Sequence, residues 1–383
     1  MHRHAHKHSR RDFFNTAFKS ALAGASILEE AFLRASWARA QAPGASTTLF
    51  NIEKVADGVY AALAKPQLFT NCNAAIFVNS RDVLVVDAHS KPSAAAALIA
   101  QIKKDVTSKP VRYLVNSHFH WDHTQGDAAY KTSDAKVDII ASNTTKQLMT
   151  ELSRNRLQES LDGVPKQMDD LQARLAKATS NSDQERFTDL IRQLKAYQSE
   201  MKSYALELPT ITFAKSYVLK DAAGDLHLEF HGRAHTAGDI AIFSPQKRVV
   251  ASGDTIIGYL PNINDGYPRA WPATISSIDR LAFDRIIPGH GPVHHDRARM
   301  LQMRNYIEEL TGRVEEGKKA GQPLAELHKT LTISSIKSLQ AGGYGQYCAN
   351  NLNDLTVYLG QKTPFEDRLA ANIDAIYQNL DRA

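Results

Sequence analysis

The 383-residue chain is poor in cysteine and has no long apolar run. Its two cysteines, Cys72 and Cys348, lie far apart, and neither belongs to a Cys-x-x-Cys pattern, which excludes a zinc site built from cysteine. A single disulfide and two separate buried thiols both remain open. No apolar stretch reaches the ~20 residues that a membrane-spanning helix needs, so we expect no integral membrane span.

The chain also lacks a basic tract outside its first 40 residues. The net charge of +5 reflects 46 Lys and Arg against 41 Asp and Glu, but seven of these basic and three of these acidic residues lie within residues 1–40. The rest of the chain therefore carries a net charge of only about +1. Nucleic-acid binding needs a concentrated positive surface, so we expect no nucleic acid among the partners.

Residues 1–42 have the pattern of an export signal. Ser-Arg-Arg-Asp-Phe-Phe at 9–14 resembles the twin-arginine motif, and a modest apolar stretch follows at 17–28. Small residues then offer cleavage after Ala40 or after Ala42, and the first is favoured because Pro43 follows the second. Two glutamates interrupt the apolar stretch, so an attached amphipathic helix is the alternative. We expect twin-arginine export to the periplasm, or secretion.

The most informative segment is His-Phe-His-Trp-Asp-His at 118–123, which places four candidate metal ligands within six residues. It follows the apolar segment 111–115, which predicts a buried strand. Residues two apart on an extended chain point to the same side, so His118 and His120 could bind one ion together. The Asp and His that end the segment, where the chain turns, could face a second ion. Imidazole and carboxylate suit Zn²⁺, and also Fe or Mn.

This segment resembles the His-x-His-x-Asp-His signature of the metallo-β-lactamase superfamily. Four further segments resemble companion motifs of the same family. They are Val-Val-Asp at 85–87, Gly-Arg-Ala-His-Thr-Ala-Gly-Asp at 232–239, Ser-Gly-Asp-Thr at 252–255 and Pro-Gly-His-Gly-Pro at 288–292. The resemblance covers residues 50 to 300, roughly. It implies an α/β protein with a four-layer αββα sandwich and metal ions at the edge of its sheets.

The resemblance divides these side chains between two metal ions. It assigns His118, His120 and His235 to one ion, Asp122, His123 and His290 to the other, and Asp254 to a bridging position. We expect two Zn²⁺, with Fe or Mn as chemically acceptable substitutes. Such a pair would lower the pKa of a shared water, so that hydroxide forms near neutral pH. Asp122 would be both a ligand and the catalytic carboxylate that orients this nucleophile.

Further residues near the motifs have expected supporting roles. Asp87 and Asp239 are predicted to accept hydrogen bonds from ligand histidines and so to fix their tautomers. Asn73, Tyr259 and Trp271 are predicted to line the substrate pocket.

Helical patterns interrupt and extend the metal-binding domain, which we place at residues 43–300. Within 144–205, two apolar stripes at helical spacing are separated by a turn at 179–182, which predicts an inserted antiparallel hairpin. We expect it to pack on the domain or to form a homodimer contact rather than a lid. Residues 301–383 are predicted to form a helical C-terminal extension packed on the domain.

The resemblance implies a metal-dependent hydrolase with a small-molecule substrate: a thioester, ester, lactone or β-lactam. The family's β-lactamases often have Cys or Ser at the position of Asp254, whereas Asp resembles the glyoxalase-II branch, which cleaves thioesters. Export, in contrast, favours a β-lactamase role, because β-lactams act outside the cytoplasm. The alternatives are therefore a class B-like β-lactamase and an iron-dependent oxidoreductase of the same fold.

Overall fold

The computed structural model describes residues 48–65, 72–132, 136–359 and 364–380. The predicted export signal at 1–42 lies outside the described residues. Two β-sheets and a set of helices account for most of the described chain.

The first sheet has seven strands that lie side by side in chain order. They are β1 Phe50–Ala56, β2 Val59–Ala64, β3 Ala74–Val78, β4 Val83–Val86, β5 Val111–Val115, β6 Asp138–Ser142 and β7 Ile211–Phe213. Strands β1 to β4 pair antiparallel, and β4 to β7 pair parallel. Because parallel neighbours end at the same edge, the loops that follow β4 and β5 leave the sheet side by side.

The second sheet has five strands in the order β12-β11-β10-β9-β8. They are β8 Ser216–Leu219, β9 Leu226–Glu229, β10 Ala241–Ser244, β11 Val249–Gly253 and β12 Arg285–Pro288. The last two pair parallel, with Gly253 opposite Pro288, so the loops after β11 and β12 also leave at one edge. All five residues of β11, which pairs antiparallel with β10 and parallel with β12, are buried, as expected of a strand covered on both faces.

Twelve α-helices are defined in the described chain. They are α1 Pro92–Asp105, α2 Trp121–Thr124, α3 Asp127–Lys131, α4 Asn143–Leu148, α5 Arg154–Lys177, α6 Asn181–Met201, α7 Trp271–Asp279, α8 Ala298–Lys319, α9 Leu324–Thr330, α10 Lys337–Gln340, α11 Tyr344–Leu359 and α12 Pro364–Asn379. A π-helical segment, Met149–Ser153, precedes α5. No helix in the described part of the chain is long and apolar enough to cross a bilayer.

Three apolar clusters stack the elements into four layers. Val86 and Val115 of the first sheet pack against Leu228 and Ile242 of the second. The outer face of the first sheet is covered by α1 and α3, and that of the second by α7 and the C-terminal helices. The predicted αββα sandwich with a helical C-terminal extension is therefore confirmed.

The inserted hairpin consists of α5 and α6. Its apolar stripes face each other in a cluster of their own, and Trp121, within the metal-ligand segment, packs against that cluster. The turn comes slightly earlier than predicted, because Ser180 caps α6 by accepting a hydrogen bond of 3.1 Å from the amide N–H of Asp183.

The two cysteines are separate. Cys72 and Cys348 are both buried and unbonded, so the structure has two thiols rather than a disulfide. Burial raises the pKa of each thiol to about 12, which keeps both protonated.

Gly126, between α2 and α3, is required by a close backbone approach. A Cβ at this position would lie 1.8 Å from the carbonyl oxygen of Ala88 and 2.8 Å from Cβ of Ala95. We expect Gly126→Ala to lower the free energy of unfolding by about 3 kcal/mol, because packed backbone cannot move aside cheaply. Urea unfolding of the purified protein measures this change.

Gly312 provides the matched control. It lies inside α8, and an added Cβ would meet no atom within 4 Å. Gly312→Ala should raise the free energy of unfolding by about 0.5–1 kcal/mol, because Ala restricts the unfolded chain and favours helix. A Gly126→Ala protein as stable as wild type would contradict the close approach of Gly126 to Ala88.

Candidate metal centre

Seven histidine and aspartate side chains meet where the two sheets end. They are His118, His120, Asp122, His123, His235, Asp254 and His290. Four segments supply them: the loop after β5 with α2, the loop after β9, and the turns after β11 and β12. Their nitrogen and oxygen atoms form three overlapping groups, in each of which the atoms lie within 4.8 Å of one another. The structure thus brings together every ligand expected from the sequence.

A change of backbone direction separates the two metal groups. His120 has extended dihedral angles, and α2 begins at the next residue, Trp121. His118 and His120 therefore precede the helix, whereas Asp122 and His123 lie on its first turn. One short segment can in this way present ligands to two neighbouring ions.

The first group contains three imidazoles. His235 Nε2 lies 2.9 Å from His120 Nδ1, and the His118 ring centroid lies 4.7 Å from that of His120. His118 Nε2 is buried and has no hydrogen-bond partner among the described residues. Burial lowers the pKa of His118 well below its ordinary value, so the ring is neutral, the form that binds metal. A buried nitrogen of this kind needs a partner, and a metal ion fits.

The second group combines one carboxylate with two imidazoles. His290 Nε2 lies 3.3 Å from Asp122 Oδ2 and 3.3 Å from His123 Nε2. Burial alone would lower the pKa of His123, but the carboxylates of Asp122, Asp254 and Asp87 outweigh it, and the pKa lies well above its ordinary value. These acids therefore make the position favourable for positive charge, as a cation site requires.

Asp254 lies between the two groups. Its Oδ2 is 3.5 Å from His235 Nε2 and 3.3 Å from His290 Nε2, and its Oδ1 is 3.4 Å from His123 Nε2. Burial alone would raise its pKa, but His290 and His123 hold the pKa well below its usual range, so the carboxylate is ionised. A Cβ on Gly289 would lie 2.0 Å from Asp254 Oδ1, which explains the glycine before His290.

Asp87 orients His123 from the end of β4. Its carboxylate accepts hydrogen bonds of 2.8 Å from the amide and the hydroxyl of Ser117, and Oδ2 lies 2.8 Å from His123 Nδ1. Because Nδ1 donates to this acid, Nε2 of His123 is left to face the centre. This is the contact that the sequence predicted for Asp87.

Asp239 was expected to accept a hydrogen bond from a ligand imidazole, but in the described chain its hydrogen bonds come from Thr236. Its carboxylate accepts hydrogen bonds of 2.7 Å from the amide N–H and the hydroxyl of Thr236. His235 Nδ1 instead lies 3.1 Å from the carbonyl oxygen of Asn262. Asp239 therefore stabilises the turn that follows His235. Burial raises its pKa to about 7.

Asn73, Tyr259 and Trp271 support the site from behind and do not line the cleft, contrary to expectation. Asn73 Nδ2 donates to the carbonyl oxygens of Pro288 and Gly291, at 3.0 and 2.7 Å, and so holds the turn that carries His290. The ring centroids of Tyr259 and Trp271 lie 6.0 Å from that of His290 and 5.5 Å from that of His235. They were expected to line the pocket because they lie on segments near the motifs, but both are buried.

A cleft of about 800 Å³, measured with its open mouth, gives access to the centre. Its lining residues are Phe119, His120, Trp121, Asp122, Thr124, Gln125, Ser153, Arg156, Tyr204, His235, Asp254, Asn262, Asn264 and Asp265. Ser153 and Arg156 come from the π-helical segment and α5, and Tyr204 follows α6. The inserted hairpin therefore forms part of the cleft wall, which the sequence did not predict.

Asp265 is the functional residue that the sequence analysis missed. Its Oδ2 lies 2.8 Å from His120 Nε2, and its two oxygens accept hydrogen bonds of 2.7 and 3.0 Å from the guanidinium of Arg156. Burial alone would raise the pKa of Asp265, but Arg156 and His120 hold it well below its usual range. The residue lies in an irregular loop between β11 and α7, where no spacing marks it.

Comparisons with known proteins agree with this geometry. Residues 68–290 match the sequence model of the Metallo-beta-lactamase superfamily. The match covers more than half of the chain, and the protein therefore belongs to the metallo-β-lactamase superfamily.

Individual relatives are more distant. A linear primary-alkylsulfatase from a Pseudomonas species is 25% identical over 221 residues, which are 55% of this chain and 39% of the relative. The chain thus spans well under half the length of that relative. Metallo-β-lactamases from Pontibacter korlensis and Hirschia baltica have TM-scores of 0.48 and 0.47, with 17% and 18% identity. The two alignments cover 67% of this chain and 98% and 97% of those structures.

Asp87→Asn tests the support of the second metal group. Asn tolerates the left-handed backbone that Asp87 adopts (φ 68°), so the fold should persist. The amide removes one of two acceptor oxygens, and we expect the zinc affinity of the group of Asp122, His123 and His290 to fall about 10–100-fold. Competition with a chromophoric chelator measures the affinity.

Asp284→Asn is the control for this substitution. Asp284 is exposed, and its carboxylate pairs with Arg248. Its zinc affinity should equal that of wild type. Unchanged affinity in Asp87→Asn as well would show that Asp87 does not orient His123.

Proposed function

We propose that the protein is a dinuclear zinc-dependent hydrolase that cleaves a small carbonyl compound: a thioester, ester, lactone or β-lactam. The observation that carries this proposal is the convergence of the seven ligand side chains, in overlapping groups within 4.8 Å, at the floor of an open cleft. When bound, the two ions would supply a Lewis acid and a water molecule of lowered pKa.

The protein's own side chains would bind the ions and orient the attacking water. Neutral imidazoles leave the charge of a bound ion undiminished, and the ionised Asp254 lies within reach of both groups. Asp122 lines the cleft, is 5% exposed, and has one oxygen 3.3 Å from His290 Nε2. Its carboxylate would accept a hydrogen bond from the attacking water and take the proton as attack proceeds.

The cleft wall supports a substrate with an apolar part. Phe119, Trp121 and Tyr204 contribute aromatic side chains to the lining of the cleft. Asn262 and Asn264 provide polar groups nearby. Most residues that line the cleft are polar, and these aromatic rings are the part of its wall that could contact an apolar group of a small organic molecule.

A sulfate ester with an alkyl chain is the second candidate substrate. The relative from Pseudomonas is named a linear primary-alkylsulfatase, and the three aromatic rings could hold an alkyl chain beside the centre. A sulfate ester requires the same metal-assisted attack by water, at sulfur or at carbon.

His120→Ala tests the proposed chemistry. The variant should bind fewer than two zinc ions per chain and lose turnover, because one imidazole of the three-histidine group is gone. We would assay zinc-loaded protein against a thioester, an ester, a lactone, a β-lactam and an alkyl sulfate, and count bound metal by elemental analysis. His295→Ala is the control, since His295 is 66% exposed and lies near Glu53, away from the centre.

The outcomes separate the candidates. Hydrolysis of one substrate that is lost in His120→Ala and kept in His295→Ala supports the hydrolase and names its bond. Full activity in His120→Ala refutes the assignment. Bound iron with oxygen consumption, measured on protein from its native host, would favour an oxidoreductase instead.

We propose further that the protein is exported by the twin-arginine route, from the motif at residues 9–14. Replacing both Arg10 and Arg11 with Lys should keep the protein in the cytoplasm, because the route recognises the arginine pair. Cell fractionation with an antibody to the protein measures this. Arg34→Lys makes the same chemical change outside the motif and should leave export intact. Normal export of the double variant would contradict the proposal.

A further inference from the structure

One loop contacts two imidazoles of the three-histidine group. The carbonyl oxygen of Asn262 lies 3.1 Å from His235 Nδ1, and Asp265 Oδ2 lies 2.8 Å from His120 Nε2. Each contact occupies the ring nitrogen that does not face the other imidazole. The loop 261–265 therefore decides which nitrogen of each ring faces a metal ion, and in which plane each ring lies.

The inserted hairpin holds this loop from one side. Arg156 of α5 donates two hydrogen bonds to the two oxygens of Asp265, at 2.7 and 3.0 Å. Its guanidinium also lies 4.9 Å from the ring centroid of Phe119, which stands between two metal ligands in the sequence. Paired hydrogen bonds fix the plane of the carboxylate, which a single point charge does not.

The C-terminal extension holds the same loop from the other side. Asn372 of α12 is fully buried. Its Oδ1 accepts a hydrogen bond of 3.2 Å from the amide N–H of Ile263, and its Nδ2 donates to the carbonyl oxygen of Pro261 at 2.9 Å. Asn379 adds a bond of 3.0 Å to the carbonyl oxygen of Asn264. Polar backbone groups of the loop are therefore paired by the extension rather than by the sheets.

The second metal group has a different support. Asp87, at the end of β4, lies 2.8 Å from His123 Nδ1, and Asn73, just before β3, holds the turn that carries His290. Both residues belong to the sandwich itself. The two groups thus share Asp254 but are oriented by separate parts of the chain.

We propose that the inserted hairpin and the C-terminal extension together clamp the loop 261–265, and that Arg156 and Asn372 are positioning residues that set the metal affinity of the three-histidine group selectively. The two helical elements added to the sandwich therefore adjust the affinity for one of the two metal ions. This inference rests on the metal groups of the proposed function, but not on any substrate.

The test measures zinc affinity in two backgrounds, each of which isolates one group. His290→Ala leaves the group of His118, His120 and His235, and His235→Ala leaves the group of Asp122, His123 and His290. Arg156→Ala and Asn372→Ala are each added to both backgrounds. Chelator competition should show zinc affinity about 10–100-fold weaker in the His290→Ala background and changed less than about twofold in the other.

Conservative and matched variants separate positioning from folding. Arg156→Lys keeps the charge but not the paired geometry, so it should recover only part of the lost affinity. Arg192→Ala removes another arginine from the hairpin, one that is 72% exposed and pairs with Asp189, and should change neither affinity. Asn305→Ala, at an exposed position of α8, is the control for Asn372→Ala.

Three results would overturn the inference. They are equal loss of zinc affinity in both backgrounds, unchanged affinity in the His290→Ala background, and full recovery by Arg156→Lys. If the wild-type protein bound zinc normally but hydrolysed none of the tested substrates, the proposed function would be contradicted and this inference would not be affected. Selective loss in the three-histidine background alone supports it.

Discussion

Every proposed metal ligand depends on the packing of two sheets whose parallel strands end at one edge. The loops after β4 and β5 leave the first sheet beside each other, and those after β11 and β12 leave the second. Residues between the sheets, such as Val86, Val115 and Ile242, are almost completely buried and hold these edges together. The apolar core therefore sets distances of a few ångströms between side chains that are far apart in the sequence.

The same packing buries several negative charges close together. Three carboxylates, Asp87, Asp122 and Asp254, are buried beside histidines at the centre. A buried charge is unfavourable unless it is paired, and bound divalent cations would pair with these carboxylates. His123 and His120 donate hydrogen bonds to Asp87 and Asp265, which leaves a defined nitrogen of each ring turned inward. The side chains that would bind metal are therefore held in place by groups that accept hydrogen bonds from them.

Much of the sandwich was predictable, because its inner strands are short apolar runs bounded by turns. β5 has the predicted boundaries, Val111–Val115, and β12 ends at Pro288, where the His290 motif begins. No pattern in the sequence predicts β1, β7 and β8, which carry polar side chains or span as few as three residues. Short polar strands have no periodic signal, and they form because a neighbouring strand supplies hydrogen bonds.

The sequence by itself determined which side chains could bind metal, because imidazoles and carboxylates stand in compact motifs at the ends of apolar segments. The resemblance of those motifs to the superfamily also indicated the layered fold. Only the tertiary structure decided how the ligands are oriented. Asp265, Arg156 and Asn372 come from a loop, an inserted helix and the last helix, and no local pattern relates them. A hydrogen bond between distant segments depends on how whole elements pack, which the spacing of residues along the chain does not encode.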